Sequence, residues 1–107
     1  MGRTPNRVTV DTDEVPGAAV VRIQGDLDLA GVPAVERALA EAKAQATTLV
    51  IDLGRVSFID SAGMRCLLHA GTEAHRNGHR LSVRRGPSAV QRVFELTRAD
   101  RILDFID

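Results

Sequence analysis

Hydrophobic and polar positions alternate along the first part of the chain and then repeat every three to four residues. Residues 7–11 alternate, residues 13–17 have the composition of a turn, and residues 18–24 form a second β-branched run. These features predict an opening hairpin. One helical stripe follows from Val32, with apolar residues at Val35, Leu39, Ala42 and Ala46. Pro33 suits the first turn of that helix.

The middle of the chain contains a short aliphatic run followed by a second helical pattern. Periodicity alone does not distinguish residues 47–52 from a buried helix, but their length and position favour a central strand. Residues 54–59 are expected to be a short connection. A helix then opens with Ser61 as its predicted N-cap and ends at Asn77 and Gly78. Its apolar stripe comprises Met64, Leu67, Leu68 and Gly71.

The last third of the chain repeats the strand and helix alternation. Residues 80–84 are typical of a strand, and residues 102–106 of a final edge strand. Between them, Pro87 begins a third helix whose predicted inward positions are Val90, Val93, Phe94 and Leu96. The order β-β-α-β-α-β-α-β predicts an α/β fold with a mixed sheet covered by helices. We expect residues 1–6 to be a disordered tail and residues 7–107 to form a single domain.

The loops that follow two of the predicted strands are expected to carry the functional residues. Because carboxyl ends of parallel strands meet at one sheet edge, residues 25–31 and 54–61 should emerge together. Asp26 and Asp28 are therefore expected near Ser61. Their carboxylates have two readings, a turn or capping role and a contribution to partner docking. Asp52, at the end of the central strand, is interpreted as a structural hydrogen-bonding residue.

Composition narrows the classes of partner and ligand. The 14 basic and 14 acidic residues balance, so no global field attracts nucleic acid or an anionic membrane. Cys66 is the only cysteine, which excludes an internal disulfide and leaves no zinc-binding spacing. The polar N-terminus lacks a signal peptide, and no apolar stretch is long enough to span a membrane. These features favour a cytoplasmic protein that needs no cofactor.

Ser61 is the leading candidate for chemistry, although serine also caps helices in many proteins. Asp60 precedes it, and the small residues Ala62 and Gly63 follow it. Small neighbours leave the hydroxyl open to an approaching enzyme. From the residues alone, capping remains the commoner explanation.

Several segments together resemble the STAS family of anti-sigma factor antagonists. They are the GDLD sequence at residues 25–28, VIDL at 50–53, FIDSAG at 58–63 and VFELT at 93–97. The resemblance covers nearly the whole chain, and the combination of motifs is more specific than any one of them. It implies a STAS-like mixed sheet covered by helices. It also implies that a last helix common in the family is absent, which leaves a surface for a partner to cover.

The resemblance further implies a phosphorylation switch at Ser61. In the family, the first serine of this motif is phosphorylated by an anti-sigma factor that has serine kinase activity. The expected docking surface comprises Asp26, Asp28, Asp60, Ser61, Ala62, Gly63 and Met64. Ala62 departs from the family, where a hydroxyl residue often follows the phosphoserine. A phosphatase is a further candidate partner, and the chain is expected to be a monomer or a weak dimer through its exposed edge strand.

Four other functions are compatible with parts of the sequence. A hydrolase would need Gly-x-Ser-x-Gly, but Ile59 stands at the first position and the histidines lie far along the chain. A receiver domain would need a suitably placed lysine, and Lys43 lies within the first helix. Nucleic-acid binding could use spaced arginines, but the chain lacks Tyr and Trp for stacking. A non-switching STAS scaffold or subunit module remains the serious alternative.

Overall fold

Within residues 7–107, five strands form one sheet whose spatial order equals their order in the chain. The computed structural model describes residues 7–107; the predicted tail at residues 1–6 lies outside them. The strands are β1 (Thr9–Val15), β2 (Ala18–Leu27), β3 (Thr48–Ile59), β4 (Arg80–Arg84) and β5 (Phe105–Ile106). The helices are α1 (Val32–Gln45), α2 (Ser61–Arg76) and α3 (Ser88–Leu96). β1 pairs antiparallel with β2 and all other neighbours are parallel, so the predicted mixed α/β fold is confirmed.

The opening hairpin turns at Pro16 and Gly17. Val15 lies opposite Ala18, which leaves a connection of two residues. Gly17 has a φ of 80°, a conformation that glycine adopts without steric cost. The predicted hairpin is therefore present, with both strands longer than the sequence indicated.

The hydrophobic core lies between one face of the sheet and the helices. Fully buried sheet residues include Val21, Ile23, Leu49, Ile51 and Val83. The helices contribute Val35 and Leu39 from α1, Leu67 from α2, and Val90 and Phe94 from α3. Burying each such side chain contributes about 1.5–3 kcal/mol. Phe94 also packs edge-on against Phe105, with ring centroids 5.0 Å apart, which fastens α3 to β5.

The opposite face of the sheet carries mainly polar side chains. Successive strand residues point to opposite faces, so the neighbours of the core residues point away from the helices. Val20 and Val50 are half-buried and do not belong to the core cluster. We name this the open face and define it by Asp11, Asp13, Val20, Arg22, Val50, Asp52, Ser82 and Arg84.

β3 corrects the predicted connection at residues 54–59. The strand continues through this segment and ends at Ile59. Arg22 pairs with Asp52, whereas Gln24 pairs with Arg55, so β3 has one extra residue at this point. Such a bulge interrupts the alternation of apolar and polar residues that signals a strand. For this reason the sequence pattern favoured a connection.

Two predictions about the C-terminal part of the sequence were also wrong. Leu96, predicted to point inward, is the last residue of α3 and is 72% exposed. The predicted strand at residues 102–106 is limited to Phe105–Ile106, after a 3₁₀ turn at Ala99–Arg101. Ile102 is exposed, and Leu103 takes the buried position beside Gly71. None of the helices in residues 7–107 has both the length and the apolar character needed to cross a membrane.

Candidate functional site

Asp60, not Ser61, caps the N-terminus of α2. Its Oδ1 accepts a hydrogen bond from the backbone N–H of Gly63 at 2.9 Å. Its carbonyl oxygen accepts from the N–H of Met64, also at 2.9 Å. The prediction that Ser61 is the N-cap is therefore wrong. Both residue types cap helices well, but a carboxylate also interacts favourably with the positive end of the helix dipole.

Ser61 is the first residue of α2 and its side chain is exposed. Its hydroxyl forms no hydrogen bond with any described residue from position 7 onward. Ala62 is half-buried beside it. Because Asp60 performs the capping, the Ser61 hydroxyl is accessible to an incoming protein.

Gly63 allows α2 to approach the end of β2 closely. A Cβ atom at this position would collide with the carbonyl oxygen of Leu27 and lie 2.8 Å from its Cγ. The backbone N–H of Asp60 donates to the same carbonyl at 3.2 Å. Gly63 is buried and Met64 is only 7% exposed. These two predicted docking residues therefore fix the position of the helix start by packing beneath the surface, and they expose little surface to a partner.

The turn that follows β2 is hydrogen-bonded to the start of α2. Asp28 Oδ1 accepts from the N–H of Gly31 at 3.2 Å and caps the 3₁₀ turn Leu29–Gly31. Asp60 Oδ2 accepts from the N–H of Leu29 at 3.3 Å. One carboxylate thus connects both loops at the carboxyl edge of the sheet, and the Asp28 turn lies beside the helix that begins with Ser61.

Asp26 is placed differently from Asp28. It belongs to β2, is 2% exposed, and accepts a hydrogen bond from the Ser57 hydroxyl at 3.1 Å. A buried carboxylate offers almost no surface to a partner. Asp26 therefore has a structural role inside β2, which differs from both the capping role and the docking role expected from the sequence.

Leu29 and Arg65 flank Ser61 and were missed by the sequence analysis. Leu29 is 72% exposed, although its backbone is held by Asp60. Arg65 is exposed on α2, four residues after Ser61, and forms no ion pair within residues 7–107. Side chains four residues apart lie on the same side of a helix. That spacing could have drawn attention to Arg65, and a leucine outside every apolar stripe could have drawn attention to Leu29.

Cys66, the other candidate nucleophile near the start of α2, is expected to be unreactive at neutral pH. Burial, together with the negative charge of Glu36, raises the pKa of its thiol to about 11. The sulfur therefore stays protonated at neutral pH. No group of three or more His, Cys, Asp and Glu side chains in residues 7–107 is arranged to hold a metal ion.

Asp52 takes the structural role expected of it. Its Oδ1 accepts from the N–H of Gly54 at 2.8 Å, and its Oδ2 pairs with Arg84 at 3.4 Å. Both contacts lie on the open face, away from α2.

Comparison with known protein families identifies the family to which this chain is similar. Residues 8–104 match the model of the family described as Mlab, STAS domain. The chain belongs to this STAS family. The resemblance found in the motifs is thereby confirmed.

Curated relatives of this STAS domain include the anti-sigma-F factor antagonist RsfB of Mycobacterium tuberculosis, from strains CDC 1551 / Oshkosh and H37Rv. Each is 41% identical over 64 residues, which are 59% of this chain and 52% of the relative. The chain therefore spans about half the length of these curated relatives.

Solved structures resemble this STAS domain over most of its length. An anti-sigma factor antagonist from Mycobacterium paratuberculosis has a TM-score of 0.77 and 26% identity, covering 92% of this chain and 84% of that one. The anti-sigma factor antagonist SpoIIAA in its unphosphorylated form has a TM-score of 0.75 and 22% identity, covering 92% and 89%. The second likeness shows the shared fold.

Proposed function

We propose that this STAS domain is an anti-sigma factor antagonist controlled by phosphorylation of Ser61. The unphosphorylated form binds an anti-sigma factor that has serine kinase activity and so releases a sigma factor. The kinase then phosphorylates Ser61 and ends the contact, and a phosphatase restores the binding form. The observation that carries the proposal is the exposed Ser61 hydroxyl, which Asp60 leaves free by capping α2 itself. The similarity to anti-sigma factor antagonists supports the partner class.

The docking surface that we assign consists of Asp28, Leu29, Asp60, Ser61 and Ala62, and we name it the Ser61 surface. Leu29 supplies its apolar part because 72% of the residue is exposed while its backbone is held by Asp60. A fixed backbone reduces the conformational entropy that this turn loses on binding. Gly63 and Met64 contribute by fixing the position of the helix start.

Phosphate at Ser61 would meet opposing local forces. It adds about −1.5 to −2 charges at pH 7. The N-terminus of α2 favours this anion by about 0.3–1 kcal/mol, and Arg65 is spaced to pair with it across one helical turn. Asp60 and Asp28 repel it. Because these terms oppose each other at a solvent-exposed position, we expect the fold to tolerate the modification.

A bound partner would tolerate the phosphate less well. Docking over Leu29 and Ser61 removes water from both residues, and a dianion loses strong hydration when it is covered. The partner must also have complementary charge, since Asp28 and Asp60 already make this surface acidic. Phosphorylation would therefore weaken the complex through the interface while leaving the domain folded.

The chemistry of phosphoryl transfer belongs to the partner in this scheme. ATP and magnesium bind the kinase, and the STAS domain supplies only the acceptor oxygen, with no cofactor of its own. A hydrolase role for Ser61 is disfavoured because His69 and His75 lie about 12 Å or more along the helix. Partners of this class would place the protein in the bacterial cytoplasm.

Intact-mass spectrometry after incubation with ATP, magnesium and candidate anti-sigma kinases tests this proposal. We expect one added phosphate on the unmodified sequence and none on Ser61→Ala. A phosphate that persists on Ser61→Ala would move the switch to another residue. Tight binding of a candidate without any phosphorylation would instead favour the non-switching scaffold.

A further inference from the structure

Charges alternate in sign along one row of the open face. Asp11 of β1 lies opposite Arg22 of β2, Arg22 lies opposite Asp52 of β3, and Asp52 lies opposite Arg84 of β4. These four side chains share one face because they are direct cross-strand neighbours. Read across the sheet, the row is negative, positive, negative, positive.

The charges in this row are paired within the chain, and all except Asp52, whose side chain is 14% exposed, remain well exposed. Arg22 contacts Asp11 at 3.4 Å and Asp13 at 3.1 Å, and Arg84 contacts Asp52 at 3.4 Å. The side chains of Asp11, Arg22 and Arg84 are 77%, 43% and 51% exposed. Each therefore retains solvent-facing hydrogen-bonding capacity for a second partner.

The adjacent row provides an apolar centre. Val20 of β2 lies opposite Val50 of β3, with Asp13 on one side and Ser82 on the other. Both valines are half-buried and lie outside the core cluster. The two rows together form a small apolar patch beside a line of alternating charge.

We propose that the open face binds the open face of a second copy of this chain. The two-fold axis lies between the two facing sheets. It runs parallel to their strands and is centred over the gap between β2 and β3. It reverses the order of the row, so Asp11 of each copy faces Arg84 of the other, and Arg22 faces Asp52. The same operation places Val20 against Val50. Sheets packed face to face are about 10 Å apart, within reach of arginine side chains from both copies.

The order of charges favours this two-fold axis over the other axis that would bring the two open faces together. A two-fold axis along the row itself would place each aspartate against its own counterpart, and each arginine likewise, which is repulsive. The formal net charge of zero adds no long-range repulsion between copies. The C-terminal edge strand β5, the dimer route expected from the sequence, has only two residues and provides few backbone hydrogen bonds.

The dimer is expected to be weak and reversible. Exposed ion pairs contribute little individually, so the charges set orientation while the valines supply most of the attraction. α2 packs on the opposite side of the sheet, which leaves Ser61 exposed in both copies. This inference is therefore independent of the proposed function of Ser61.

Sedimentation equilibrium of the full chain at rising concentrations tests the dimer. We expect a monomer–dimer equilibrium, weakened about tenfold or more by either Asp11→Arg or Arg84→Asp, because like charges then face each other. A 1:1 mixture of the two variants should regain the association. In the mixed pair, the arginine introduced at position 11 faces the aspartate introduced at position 84, and the unchanged Arg84 of the first variant faces the unchanged Asp11 of the second. Arg92→Asp, at an exposed position of α3, is the matched control and should leave association unchanged.

Urea denaturation of each variant shows whether it is folded, and the mixture does not depend on either variant dimerising alone. A monomer at all concentrations would overturn the proposal. So would association that both charge reversals leave intact, or a mixture no more associated than its separate components.

Discussion

Two turns at the carboxyl edge of the sheet both begin with a capping aspartate, but they lead into helices of different length. After β2, Asp28 caps a three-residue 3₁₀ turn, and after β3, Asp60 caps the sixteen-residue helix α2. The residue after each aspartate is exposed: Leu29 in the first turn and Ser61 in the second. One turn thus presents an apolar side chain and the other a hydroxyl, side by side.

The difference between the turns shows how capping and function are divided between neighbouring residues. Asp60 accepts hydrogen bonds from Gly63 of its own helix and from Leu29 of the other turn, whereas Asp28 caps only its own turn. Because Asp28 and Asp60 occupy the N-cap positions, neither Leu29 nor Ser61 is needed to cap a helix. Both side chains are therefore available to a partner.

The largest effect is expected at Gly63, where α2 meets β2. Gly63→Ala places a Cβ against the Leu27 carbonyl and should lower the free energy of unfolding by about 1–3 kcal/mol. Gly71→Ala in the same helix is the control. Its Cβ meets no backbone atom but only the side-chain ends of Leu103 at 3.1 Å and Leu81 at 3.8 Å, so the gain in helix propensity should offset the contact. Urea denaturation measures both, and equal losses would contradict the close approach.

The two caps should differ in their contribution to stability. Asp60→Ala should cost about 1–2 kcal/mol because it removes hydrogen bonds to Gly63 and Leu29. Asp28→Ala should cost about 0.5 kcal/mol, since it removes a single hydrogen bond in a short turn. Chemical denaturation monitored by circular dichroism makes the comparison. A larger loss for Asp28→Ala would reverse the roles assigned to the turns.

Leu29 distinguishes binding from folding. Leu29→Ala should weaken binding to the proposed anti-sigma partner by about 1 kcal/mol, the order expected when a buried apolar contact is truncated, with little change in stability. Leu96→Ala is the matched control because Leu96 is also 72% exposed but lies at the end of α3. Isothermal titration calorimetry compares the two. Equal weakening by both variants would remove Leu29 from the docking surface.

The smallest effect on stability is expected when Ser61 is replaced. Ser61→Ala should change the free energy of unfolding by less than about 0.5 kcal/mol, because the exposed hydroxyl caps nothing. Thermal or urea denaturation can resolve this value. A loss near 1 kcal/mol would restore the capping role that the sequence first suggested.

The order of strands and helices followed from the sequence because apolar spacing and turn residues agreed along most of the chain. The stripe Val35, Leu39 and Ala42 is buried as the spacing predicts. The pattern failed at Gly54 and Arg55, where a bulge shifts the register of β3. It failed again at Leu96, because the helix ends there and its last residue turns to solvent.

The site was only partly predictable for a different reason. Asp60 and Ser61 are adjacent and both are good caps, so composition could not decide which one accepts the hydrogen bond. The burial of Asp26 and Met64 depends on how β2, β3 and α2 pack together, which local patterns do not encode. The sequence singled out Ser61, whereas the link from Asp60 to Leu29 required the three-dimensional structure.

The most direct test of the Ser61 switch is a calorimetric titration of one anti-sigma partner with two forms of this domain. One form is unmodified, and the other carries phosphate on Ser61, with Ser61→Ala as a control for loss of the hydroxyl. We predict that phosphate weakens binding at least about tenfold, or about 1.4 kcal/mol, while Ser61→Ala binds like the unmodified form. Equal affinity of the phosphorylated and unmodified forms would contradict the switch.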